Sequence, residues 1–131
     1  SGLVALATFA FQSSVSLYQM VQSYQDLPKR VRDLNEELQF LNEVLGGLDE
    51  ILRSNSGSKL NTLEFPLFRC GSACQDFEEE IKNCSTPSSG GRKSFRDWGK
   101  IRYMGQDIDG FRRIMAGYKS TIIIAPTDAN L

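Results

Sequence analysis

The side chains in this chain best suited to chemistry are three cysteines, an acidic run and two basic clusters. Cys70 and Cys74 stand one helical turn apart, where side chains run parallel and a disulfide would be strained. With Cys84 they make three thiols and no CxxC pair, short of the four ligands of a structural zinc site. The chain contains no His, which removes the commonest general base and metal ligand. Asp76, Glu78, Glu79 and Glu80 spread around a helix and read as a solvated face. Ser88-Ser-Gly-Gly lacks the Lys and following Ser or Thr of a phosphate-binding loop. No motif pairs Ser or Cys with a base. Neither catalytic residues, a metal nor a cofactor is expected, and the chain does not read as an enzyme.

The basic clusters are Lys29, Arg30 and Arg32, and then Arg92, Lys93, Arg96, Lys100 and Arg102. Each such charge is worth about 1 kcal/mol near an anionic lipid surface. The competing reading is a solvated face partly paired with the acids of 76–80. A net charge of −1 gives no electrostatic case for nucleic acid.

The elements that would position these groups begin with residues 1–25, which carry no charge although 24% of the chain is charged. A helix of that length runs about 37 Å, enough to cross the hydrocarbon core of a bilayer. Leu3, Val4, Leu6, Phe9 and Phe11 form an apolar head. Gln12, Ser16, Gln19 and Ser23 form a narrow polar seam. Such a helix either sits in a bundle core or enters lipid, and the pattern leaves both open. In a closed bundle the seam should face solvent or a polar neighbour. A secretory signal is not expected without a basic leading segment, and unpaired thiols fit an intracellular protein.

Three more helices follow. Val31, Leu34, Leu38, Leu41, Leu45, Leu48 and Leu52 step by three and four without a break, an apolar heptad seam. Asp26 is a candidate N-cap for it. Gly46–Gly47 should admit a close neighbour or mark a bend. A third seam runs Leu63, Leu67, Cys70, Cys74, Phe77, Ile81, Cys84, with Pro66 in its first turn. Ser94 and Asp97 resemble a capping box for a fourth helix carrying Trp98, Ile101, Met104, Ile108, Phe111, Met115, Tyr118 and Ile122, ended or kinked by Pro126. The expected fold is one all-α domain over 1–131, an up-down four-helix bundle with helices at about 2–25, 27–53, 63–84 and 95–125. Its core is expected to include Leu38, Leu41, Leu45, Cys70, Cys74, Phe77, Trp98, Ile108, Phe111 and Met115.

Several phrases go beyond pattern. Gly2-Leu-Val-Ala-Leu-Ala-Thr-Phe-Ala-Phe-Gln-Ser-Ser-Val-Ser-Leu-Tyr-Gln, Pro66-Leu-Phe-Arg-Cys-Gly-Ser-Ala-Cys, Ser94-Phe-Arg-Asp-Trp, Tyr103-Met-Gly-Gln-Asp-Ile-Asp-Gly-Phe and Ala116-Gly-Tyr-Lys-Ser-Thr-Ile resemble the fungal N-terminal domain of STAND proteins. This is a HeLo-like group found ahead of NACHT-type ATPase and repeat modules. The resemblance implies a helical bundle acting as effector of an NLR-like receptor in fungal programmed cell death and heterokaryon incompatibility. It implies homo-oligomerisation, with Leu3 to about Tyr24 leaving the bundle to permeabilise the membrane, Leu3, Val4, Leu6, Phe9 and Phe11 first. Anionic lipids would be partners on activation, and NACHT or repeat domains would follow in the full-length protein. A cytoplasmic protein would relocate to the plasma membrane. The alternative is a non-lytic module for homo-oligomerisation or partner recruitment.

Overall fold

A computed structural model describes the backbone of residues 2–54, 58–84 and 98–129. The heptad seams fold as expected into an all-α, up-down four-helix bundle of α1 (Gly2–Gln22), α2 (Lys29–Ser54), α3 (Glu64–Cys84) and α4 (Ile108–Ala129). All seven seam residues of α2 are buried. Leucines buried in this way contribute roughly 1.5–3 kcal/mol each relative to exposure. The expected core residues of α3 and α4, and Trp98, are buried with them.

Cross-helix contacts fix the arrangement. Phe9 stacks on Phe68 at 6.3 Å and Ser16 Oγ donates to Glu78 Oε1 at 2.6 Å, so α1 and α3 run parallel. Thr8 Oγ1 donates to Asp49 Oδ1 at 3.3 Å, and Phe11 lies against Gly46, so α1 and α2 are antiparallel. Lys119 pairs with Glu37 at 2.7 Å and Arg30 with Asp109 at 3.7 Å, which aligns α2 with α4. Phe77 and Phe111 stack at 3.9 Å, and α3 meets α4 head to tail. The order around the bundle is therefore α1, α2, α4, α3, with α2 and α3 on a diagonal. A 3-10 turn over Ser58–Leu63 crosses the bundle end between them, burying Leu60 and Leu63 against α3 and α4.

Several expected boundaries move. Helix α1 stops at Gln22, where the Ser23 amide shifts to the Gln19 and Met20 carbonyls, both at 3.1 Å. Asp26 is not the N-cap of α2. It lies in the left-handed region at φ 55°, a conformation Asp tolerates. The Pro28 carbonyl instead receives the Val31 and Arg32 amides at 3.0 Å. Helix α2 runs on through Gly46–Gly47. Pro66 lies in the first turn of α3, where its missing N–H costs no hydrogen bond.

The largest correction concerns the fourth helix, which begins at Ile108 rather than 95. Ser94 and Asp97 lie outside the described residues. Trp98–Lys100 form a 3-10 turn. Tyr103 and Gln106 then exchange backbone hydrogen bonds of 2.8 Å around Met104 (φ 50°) and Gly105 (φ 78°). Two positive φ angles in sequence make a turn of the I′ kind, for which Gly is suited and Met is not. Met104 is 81% exposed rather than part of a seam. Asp107 caps α4: its carboxylate accepts the Gly110 amide at 2.9 Å and its carbonyl the Phe111 amide at 2.9 Å. Ile101 and Ile108 are both buried, but from separate elements. Helix α4 also continues past Pro126 to Ala129.

Candidate membrane-interaction site

The deepest side chains of α1 are mostly small. Leu3, Ala7, Ala10, Ser14, Leu17 and Val21 are all buried, with Ser13 beside them. They step by four and three, a heptad stripe on which small residues bring α2 and α3 close. Counting only large apolar residues hid this stripe in the sequence; including Ala and Ser would have found it. Of the five head residues, Leu3 is buried, while Val4, Leu6, Phe9 and Phe11 are half-buried. Phe9 and Phe11 straddle the stripe. The Phe9 ring occupies the space above Gly71 of α3, and Phe11 lies over Gly46 of α2.

The polar seam faces outward: Gln12, Ser16, Gln19 and Ser23 are exposed. Ser16 reaches Glu78, and Ser23 Oγ donates back to the Met20 carbonyl at 2.6 Å. Gly2, Ala5 and Gln22 are exposed as well. The solvent face of α1 thus carries no charge. Its composition is not that of a helix surrounded by protein, because it is not surrounded.

The seat beneath α1 is polar in places. On α2, Asn35, Asn42 and Asp49 recur every seven residues. Asp49 accepts Thr8, and Asn35 lines a groove of about 540 Å³ with Tyr18 and Gln22 of α1. The buried Oδ1 atoms of Asn35 and Asn42 have no hydrogen-bond partner. On the α3 side, Ser14 neighbours Cys74. Hydrogen bonding to Cys70 and burial push the Cys74 thiol well above its ordinary range, and Ser14 pulls weakly the other way. Cys74 Sγ lies 3.9 Å from Met115 Sδ, so the cysteines of α3 are packed sulfur inside the core. Among the described residues no group of three or more Cys, Asp or Glu is placed to hold a metal.

The basic residues are elsewhere. Lys29, Arg30 and Arg32 are exposed at the start of α2, and Lys100 and Arg102 lie at the same end. Lys29 pairs with Asp33 at 3.0 Å, and Arg102 Nη1 donates to the Gly99 and Ile101 carbonyls. Arg92, Lys93 and Arg96 lie outside the described residues. Phe11 sits beside Gly46, so the apolar head is roughly 25 Å along α2 from Lys29 at 1.5 Å per residue. Among the described residues the structure does not bring the head together with Lys29, Arg30, Arg32, Lys100 or Arg102. Lys29, Arg30, Arg32, Lys100 and Arg102 stand instead at the end of residues 23–28, the root of α1.

Residues 1–131 match the family described as Pigment biosynthesis cluster protein PigL N-terminal. No curated protein and no solved structure matches the chain.

Proposed function

The chain belongs to the family of the N-terminal region of pigment biosynthesis cluster protein PigL, and from its uncharged first helix we propose that it is a membrane-active effector domain. In this reading it is the N-terminal executioner of a fungal STAND receptor, with NACHT or repeat modules following. The bundle rests in the cytoplasm, oligomerises when its receptor assembles, and releases α1 into the plasma membrane.

One observation carries the reading. Helix α1 holds an 18-residue window of mean hydropathy 1.2, and its solvent face, made by Gly2, Ala5, Gln12, Ser16, Gln19 and Gln22, is uncharged. A core helix lacks charge because it has no exposed surface; α1 has the surface and still lacks charge. Its root explains the use of the basic residues. If α1 swings out about residues 23–28, Lys29, Arg30 and Arg32 come to the headgroup layer as its tip enters hydrocarbon, where positive residues flank spanning helices.

The test is dye leakage from vesicles containing anionic lipid. Full-length chain clustered through a fused oligomeriser should release dye, and Leu6→Glu or Phe9→Glu should abolish release. Silence from the clustered wild type sinks the reading. The same uncharged face of α1 also suits docking of another helix, so a non-lytic recruitment module is the second reading. It predicts soluble oligomers without leakage.

A further inference from the structure

We propose that the groove between α1 and α2 binds an extended peptide segment of a partner protein and reads its backbone through carboxamide side chains. Among the described residues three carboxamides line the groove: Gln22 of α1, and Asn35 and Gln39 of α2. Asn35 is only 5% exposed, and its Oδ1 has no hydrogen-bond partner among the described residues. Such a group lowers stability until something bonds it. Asn35 and Gln39 are one helical turn apart and so share a face. Thr8 pairs with Asp49, and Phe11 lies over Gly46. Continued along the two helices, that register sets Tyr18 level with Gln39 and Gln22 level with Asn35. Gln22 Nε2 donates to Tyr18 OH at 2.9 Å, which holds its carboxamide against the α1 wall.

Hydrogen-bonding chemistry selects the occupant. A carboxamide offers one acceptor and two donors, and turning it brings either kind to the groove. A peptide group offers one donor and one acceptor in return. A docked helix has none to spare from its backbone, because its N–H and C=O groups bond within the helix. An acyl chain has no polar group at all, and would strip water from Arg32, Glu36 and Glu43 along the same groove. Two carboxylates beside one guanidinium give a phosphate-rich ligand no advantage. An extended chain keeps its backbone groups free. Arg32 and Glu43 lie about 16 Å apart along α2 at 1.5 Å per residue, a length that about five extended residues cover at 3.3 Å each. Leu27 and Phe40 offer apolar contact to its side chains. Phe40 is 48% exposed, although Lys119 Nζ lies 5.3 Å over its ring. The walls come from two helices, so an occupant holds α1 against α2 and is lost when α1 leaves. Only this last coupling touches the membrane reading; the binding itself does not rest on it.

The test is selection of random phage-displayed heptapeptides on the full chain, followed by fluorescence anisotropy of the enriched peptide in solution, without vesicles. Asn35→Leu should weaken binding about tenfold or more, and Gln39→Ala, at an exposed position, should weaken it less. Circular dichroism checks that each variant is folded. N-methylation of one backbone amide of the peptide should cost wild type about tenfold and cost Asn35→Leu nothing. That non-additivity separates a backbone contact at Asn35 from a change in the shape of the groove. Amide exchange over residues 18–22 should slow when peptide is bound. The assignment is overturned if wild type enriches no peptide over Asn35→Leu, or if the enriched peptides bind both equally. It is equally overturned if every N-methylated form binds wild type as its parent does. Dye release tests the insertion of α1 separately, so failure there leaves peptide binding standing.

Discussion

The ring of Phe9 fills the space that a side chain at Gly71 would occupy. A Cβ on Gly71 would stand 2.6 Å from Phe9 Cδ2, whereas one on Gly46 would meet Phe11 at an ordinary 3.5 Å. The two glycines therefore predict opposite outcomes. Gly71→Ala should overpack and cost about 1–3 kcal/mol. Gly46→Ala should add about 0.5–1 kcal/mol from helix propensity. Urea midpoints read the signs, and amide exchange across 3–22 should quicken only in the first variant. Equal behaviour of the two would remove Phe9 as the peg that holds α1 to α3.

The lone Oδ1 atoms of Asn35 and Asn42 make a second prediction. A buried acceptor without a partner costs roughly 1–3 kcal/mol. Asn42→Leu and Asn35→Leu should each raise the thermal midpoint, and should slow dye release if α1 must leave this seat. A fall in midpoint would show that an ordered water completes the pair.

Thiol labelling offers a readout of α1 without added probes. Cys70 and Cys74 are buried and Cys84 is half-buried. In the resting bundle a thiol reagent should modify Cys84 first. That reaction should be slow at neutral pH, because burial and Glu80 push the Cys84 thiol up, and should accelerate as pH rises. Displacing α1 carries Ser14 away from Cys74 and uncovers that thiol. Labelling of Cys74 should therefore rise on the order of tenfold in clustered, vesicle-bound protein. Unchanged protection during leakage would exclude departure of α1.

The Asp107 cap sets one limb of the pH profile. Its carboxyl is held below the usual range by the Gly110 amide, with Arg30, Arg102 and Arg113 assisting. A depressed carboxyl stabilises the fold above its unfolded pKa, and that contribution is lost as pH falls through the folded value. Thermal midpoints of wild type should drop on acidification, and Asp107→Asn, which keeps an acceptor, should flatten this limb. A slope unchanged in the variant would assign the acid limb to other carboxylates.

What the residues disclosed in advance follows from their chemistry. The leucines of α2 are large, apolar and regular, so the helix, its face and its burial were legible together. The stripe on α1 was not, because Ala7, Ala10 and Ser14 bury well only where neighbours approach closely. The run from Ile101 to Ile108 keeps helical spacing by coincidence across a turn at Met104–Gly105. Local signals there, Gly105 and a capping Asp107, outweigh the period. The separation of the apolar head from Lys29, Arg30 and Arg32 depends on the antiparallel pairing of α1 with α2. Spacing along the chain does not contain it, although each group was visible alone.

The diagonal placement of α2 and α3 has a final consequence. Helix α1 is one of the two wedges that keep those helices apart, so its departure cannot be followed by simple closure. It leaves an open trough, walled by the leucines of α2 and the cysteine face of α3, with the length and small-residue fit of one helix. Under the proposed release, ejecting α1 would also create a receptor for an α1. Neighbouring copies could then exchange first helices in a chain, so a released tip and an acceptor site are made in equal number.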